Sequence, residues 1–115
     1  MVAFDEDAAR QIFYNDLDGA TAKEWQSKLL PQSIGIYFST TTYAAWKHIP
    51  TTFVICEKDL ALPKASAVAF IKGAKEAIPT AFDTIETVDS GHFPMLSQPD
   101  WTTRMLRRAG GETDV

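Results

Sequence analysis

Cysteine is nearly absent from this chain. Its one cysteine, Cys56, excludes an internal disulfide and fits a reducing compartment. Long apolar runs are missing too. Nothing approaches the roughly 20 apolar residues of a membrane-spanning helix, so no membrane partner is expected. There is no basic excess: the net charge is −4, and no stripe of Lys and Arg interleaves with aromatics, which argues against a nucleic-acid partner. The basic cluster Arg104, Arg107 and Arg108 reads instead as a helix C-terminus complementing its dipole. Histidine is scarce, and His48, His92 and Cys56 stand at unrelated spacings, so no metal site and no cofactor are expected. The start, Met1 to Asp7, is acidic and lacks a basic region followed by an apolar stretch. No secretory signal is therefore expected, and a cytoplasmic location follows.

What is present is an ordinary globular composition in 115 residues, which is one domain at most. The first forty-odd residues read as helical. Asp5 or Asp7 can cap a helix whose Ala9, Ile12, Phe13 and Leu17 share a stripe, and Gly19 then allows a reversal. Thr21 and Glu24 have capping-box spacing; Ala22, Trp25 and Leu29 continue at helical period until Pro31 closes the segment. Residues 32–48 are rich in Ser, Thr and aromatics and read as short helical turns.

The rhythm then changes. Thr51 to Cys56 is a β-branched and aromatic run, apolar on both faces from Phe53, which predicts a strand covered on both sides. Pro63 suits a helix first turn, Ala67, Phe70, Ile71, Ala74 and Ile78 lie on one face, and Pro79 stops the helix. Phe82 to Val88 predicts a second strand. Ser97 with Asp100 predicts the cap of a last helix, with Trp101, Met105 and Ala109 inward and Gly110-Gly111 as its exit. Strand, helix, strand, helix makes an α/β fold with the two strands as parallel neighbours. The loops after both strands then open on the carboxyl edge of the sheet, where such sheets place their sites.

Each of those loops carries a candidate ionisable residue near its start. Asp59 follows Ile49-Pro50-Thr51-Thr52-Phe53-Val54-Ile55-Cys56-Glu57-Lys58, and His92 follows Val88-Asp89-Ser90-Gly91 and precedes Phe93-Pro94-Met95-Leu96. A carboxylate after a strand commonly caps a turn, and a loop histidine commonly bonds to backbone. Glu57, two residues before Asp59, competes for the same role because it can point the same way along the strand. His48 reads as a surface residue and Cys56 as a small core residue. Tyr14 and Trp25 could line a pocket or simply pack.

The order and spacing of these segments resemble the C-terminal half of an α/β-hydrolase, in the branch that contains methyl esterases and hydroxynitrile lyases. The resemblance implies a partial α/β-hydrolase fold. Residues about 1–45 would be the end of the helical cap, and residues about 46–110 would be the last two strands and helices of the core. It implies that Asp59 is the triad acid and His92 the general base. The nucleophile precedes both in that family, on a G-x-S-x-G turn, and no such sequence occurs in these residues. Ser27, Ser33, Ser39, Ser66, Ser90 and Ser97 all lack the Gly-flanked strand-to-helix setting. Lyases of this branch typically carry a lysine directly after the histidine. Phe93 stands there, so hydrolysis of an ester or similar acyl bond is the better expectation.

The expected function is thus a hydrolase portion with acid and base in place and no activity of its own. Two alternatives stand beside it: half of a two-chain hydrolase, or a non-catalytic binding module on the same scaffold. The implied partners are a small ester-like substrate once the site is completed, a complementing N-terminal half, or a second copy through the exposed edge of the first strand.

Overall fold

The computed structural model describes residues 5–115; the first four residues of the acidic start lie outside the described residues. The order of elements is α1 (Glu6–Phe13), α2 (Gly19–Gln26), two 3-10 turns (Ile34–Phe38 and Ala45–Lys47), β1 (Thr52–Cys56), α3 (Lys64–Ala77), β2 (Thr84–Val88), α4 (Pro94–Ser97) and α5 (Pro99–Ala109). The two strands pair in parallel, in register from Thr52 opposite Thr84 to Cys56 opposite Val88. The fold class is α/β, helices followed by a parallel βαβα unit.

The core lies between β1 and α3. Ile55, Ile71, Ala74, Ala81 and Phe82 are buried together, with Trp46, Phe53 and Ile78 against them. Burying side chains of this size contributes about 1.5–3 kcal/mol each for the larger ones. Phe82 anchors the cluster: its ring stacks on Trp46 at 5.4 Å and meets Phe53 edge-on at 5.2 Å. It does so from a left-handed backbone conformation, φ 49°, which ends the 3₁₀-like turn after α3 and turns the chain into β2.

Several local expectations need correction. β1 is not covered on both sides: Ile55 is its buried residue, while Phe53, Val54 and Cys56 are half-buried. The reason is that α3 covers one face and β2 is its neighbour on one edge. Phe70, expected inward, is exposed, because the buried stripe of α3 runs through Ala67, Ile71 and Ala74. Thr21 is not the cap of α2. Asp18 is, accepting from Thr21 N at 3.0 Å and from the Thr21 hydroxyl at 2.6 Å, and Gly19 is the first helical residue. The helix ends at Gln26, well before Pro31. Ser97 does not cap α5 either. It ends the short α4, its hydroxyl is buried with no hydrogen-bond partner among the described residues, and α5 starts at Pro99 with Thr102 as its buried residue. Pro99 fits the first helical position because that N–H would be unsatisfied in any case.

Because the strands are parallel and end together, their following loops run side by side. Glu57 N donates to Val88 O and Lys58 N to Ser90 O, both at 2.9 Å, so the ladder continues past the strands into the loops.

Candidate active site

Asp59 N donates to Cys56 O at 3.3 Å and closes a tight turn directly after β1. The carboxylate then divides its work. Oδ1 accepts from Ala61 N at 2.8 Å and Leu62 N at 2.9 Å, fixing the loop that leads to α3. Oδ2 lies 2.9 Å from His92 Nδ1. Asp59 is buried and the imidazole is about a third exposed, 32%. A carboxylate accepts, so Nδ1 carries the proton and Nε2 is the basic nitrogen. The turn-capping reading of Asp59 and the histidine-pairing reading are therefore both true, through different oxygens of one residue.

His92 is packed as well as paired. Phe93 meets its ring edge-on at 4.8 Å, and Phe13 of α1 lies at 5.5 Å. Tyr14 is buried and stacks on Phe93 at 5.4 Å, and burial pushes its phenol pKa up. Tyr14 thus packs the histidine loop rather than standing in open space.

The other candidates lie elsewhere. Glu57 pairs with Lys64 at 2.6 Å. His48 ends the second 3-10 turn and stacks on Tyr43. Trp25 lies under the Lys28 ammonium at 4.4 Å. Ser90 is fully buried and donates to Gly91 O at 3.1 Å. Cys56 is half-buried, and its thiol pKa is pushed up mainly by burial, against the lowering effect of a hydrogen bond with Ser90. Among the described residues, no group of three or more His, Cys, Asp and Glu could hold a metal, and no helix is long and apolar enough to cross a membrane.

Two residues of the site carry no periodicity or motif that marks them. Asn15 and Asp16 sit in the linker between α1 and α2. Asn15 Nδ2 donates to Lys58 O at 2.8 Å, on the acid loop. Asp16 Oδ2 accepts from Gly91 N at 2.6 Å, on the histidine loop. The cue in the sequence is Gly91 itself. A Cβ there would stand 2.4 Å from Asn15 Oδ1 and 2.6 Å from Asp16 Oδ1, so glycine is what lets the linker approach.

Two clefts, of about 240 and 280 Å³, open at the opposite end of the strands around Thr51, Asp83 and Pro50; neither contains Asp59 or His92. These two clefts and the paired residues are on different edges of the sheet.

Comparison with known proteins agrees with this geometry. A model of the alpha/beta hydrolase family matches residues 2–105. An alpha/beta hydrolase of Aspergillus novofumigatus, nvfD, is 38% identical over 109 residues, which is 94% of this chain and 41% of that protein. A probable hydrolase of a Phoma species, R7, is 30% identical over 86 residues, 75% of this chain and 35% of that protein. The chain spans about two fifths or less of the length of these curated relatives.

Proposed function

Since the chain belongs to the alpha/beta hydrolase family, we propose that it is the C-terminal portion of an ester or related acyl-bond hydrolase, with Asp59 as the triad acid and His92 as the general base. The observation that carries this reading is the Asp59–His92 pair, 2.9 Å apart at the carboxyl edge of two parallel strands. In such a site His92 Nε2 takes the proton of an attacking hydroxyl and returns it to the leaving group, while Asp59 holds the tautomer and stabilises the imidazolium. The attacking serine and the oxyanion donors would come from residues outside these 115, which contain no G-x-S-x-G. Residues about 1–45 would be the end of the cap over the site, and the later ones the last part of the core. Phe93 after His92 favours hydrolysis over the lyase chemistry of the same branch.

The surface supports a complementing portion. Leu30, Ile36, Tyr37, Phe38 and Tyr43 are exposed in the segment before β1. A cluster of apolar side chains of this kind commonly marks an interface.

Co-expression with the portion of the Aspergillus relative that these residues do not match tests the reading. The expected result is a complex whose serine is labelled by a fluorophosphonate, with labelling lost on His92→Ala. Full labelling of a complex carrying His92→Ala would remove His92 from the mechanism and with it the proposed function.

A further inference from the structure

We propose that Asp16 is a positioning residue for His92, and that the linker between α1 and α2 acts as a clasp across the acid loop and the histidine loop. The inference rests on the reading of His92 as general base. Asp16 accepts from the backbone N–H of Gly91, the residue directly before His92, at 2.6 Å. Its neighbour Asn15 donates to Lys58 O, directly before Asp59, at 2.8 Å. Two successive side chains of one linker therefore each hold the residue preceding one member of the pair. The sequence separations are 75 and 43 residues, so the clasp is a tertiary feature and not a local turn.

The geometry leaves little slack. Gly91 is buried and lies against both linker side chains at distances no Cβ could share. From the same side Phe13 and Tyr14, which immediately precede the clasp, pack on His92 and Phe93. With the Gly91 N–H fixed by a carboxylate acceptor, the Ser90–Gly91 peptide that leads into His92 has one orientation. A charge-assisted bond to a carboxylate is stronger than one to a neutral acceptor. Without it, the backbone before His92 is held by the strand ladder and by the Ser90 hydroxyl on Gly91 O, the Gly91 N–H is released, and the ring can rotate away from Asp59 Oδ2.

The tautomer of His92 reads this directly in the full 115-residue chain. The chain has two histidines, so ¹⁵N imidazole spectra are assigned by comparison with His48→Gln. In the unaltered protein His92 should show one neutral tautomer, Nδ1–H, and the Gly91 amide should exchange slowly with solvent. Asp16→Ala should convert His92 to a mixture of both tautomers while far-UV circular dichroism is kept. Asp16→Asn, whose amide oxygen still accepts, should restore the single tautomer. A folded Asp16→Ala protein with the unaltered tautomer overturns the proposal. If Asp16→Ala does not fold, the unaltered chain still decides: Gly91 amide exchange as fast as that of exposed loop amides overturns it, and slow exchange together with rescue by Asp16→Asn upholds it. Asp59→Asn separates the two readings. If it leaves the His92 tautomer unchanged, the acid–base pair itself fails; if it shifts the tautomer while Asp16→Ala does not, the clasp alone fails.

Discussion

Glu57 Oε1 lies 2.6 Å from Lys64 Nζ, which ties this carboxylate to the start of α3 and away from the imidazole that Asp59 holds. Two acidic residues that alternate along one strand end thus have separate tasks. The ion pair is half-exposed at both ends, where such contacts contribute little, about 0–1 kcal/mol.

The consequence is a sharp contrast between two isosteric changes. In a completed, active assembly Asp59→Asn should cost about 10⁴-fold in kcat, because the amide favours the wrong imidazole tautomer. Glu57→Gln should change kcat by less than about threefold, since it touches only a surface pair. Measured side by side on an activated ester, the reverse ranking would mean that Glu57 is the acid.

The core makes a prediction that needs no partner. Ile71 is buried against Ile55 and Phe82, so Ile71→Ala should lower stability by about 2–5 kcal/mol by removing buried methyl groups and leaving a cavity. Leu106 is exposed, and Leu106→Ala should change stability by no more than about 0.5 kcal/mol. Urea denaturation followed by tryptophan fluorescence measures both. Equal losses would mean that the core is not between β1 and α3.

Much of this arrangement was legible in the sequence. The β-branched run from Thr52 to Cys56, the stripe Ala67, Ile71 and Ala74, and the breakers Pro63 and Pro79 place β1 and α3, because each follows from local chain geometry. Parallel pairing of β1 and β2 then brings Asp59 and His92 to one edge without further information. The caps were less legible. Asp18 and Thr21 both have capping chemistry, and only the helix register shows that Asp18 accepts and Thr21 donates. Asn15 and Asp16 carry no motif of their own, since their partners Lys58 and Gly91 lie far along the chain, and Gly91 was the one cue to a close approach. The half-buried state of β1 was hidden for a related reason: an apolar strand shows that it can be covered, not what covers it.

The Asp18 cap gives a pH dependence. Hydrogen bonds from the Thr21 hydroxyl and then the Thr21 N–H hold its carboxyl below the usual carboxylate range. The folded state therefore favours the charged form. The resulting stabilisation is fully present above the unfolded pKa of about 3.9 and is lost as pH falls through the depressed folded value. Asp18→Asn, which cannot ionise, should be less stable than the unaltered chain at pH 7, and the difference should shrink below about pH 4. Urea midpoints taken from pH 7 down to pH 2.5 test the sign. A difference that grew on acidification would contradict it.

The last prediction concerns the surface before β1. Leu30 and Phe38 are 86% and 80% exposed, and they stand in the same segment as Ile36 and Tyr37. Exposed side chains of this size lose little by being replaced in the isolated chain, because they bury little area there. They gain by burial in any assembly that covers them. If the complementing first portion covers this segment, Leu30→Ser with Phe38→Ser should leave the urea midpoint of the isolated chain nearly unchanged and weaken association with that portion by at least about tenfold. If a second copy covers it instead, the same double change should abolish a dimer seen by sedimentation at micromolar concentration and leave association with the first portion intact. Should both associations survive the double change at full strength, the apolar segment is not an interface.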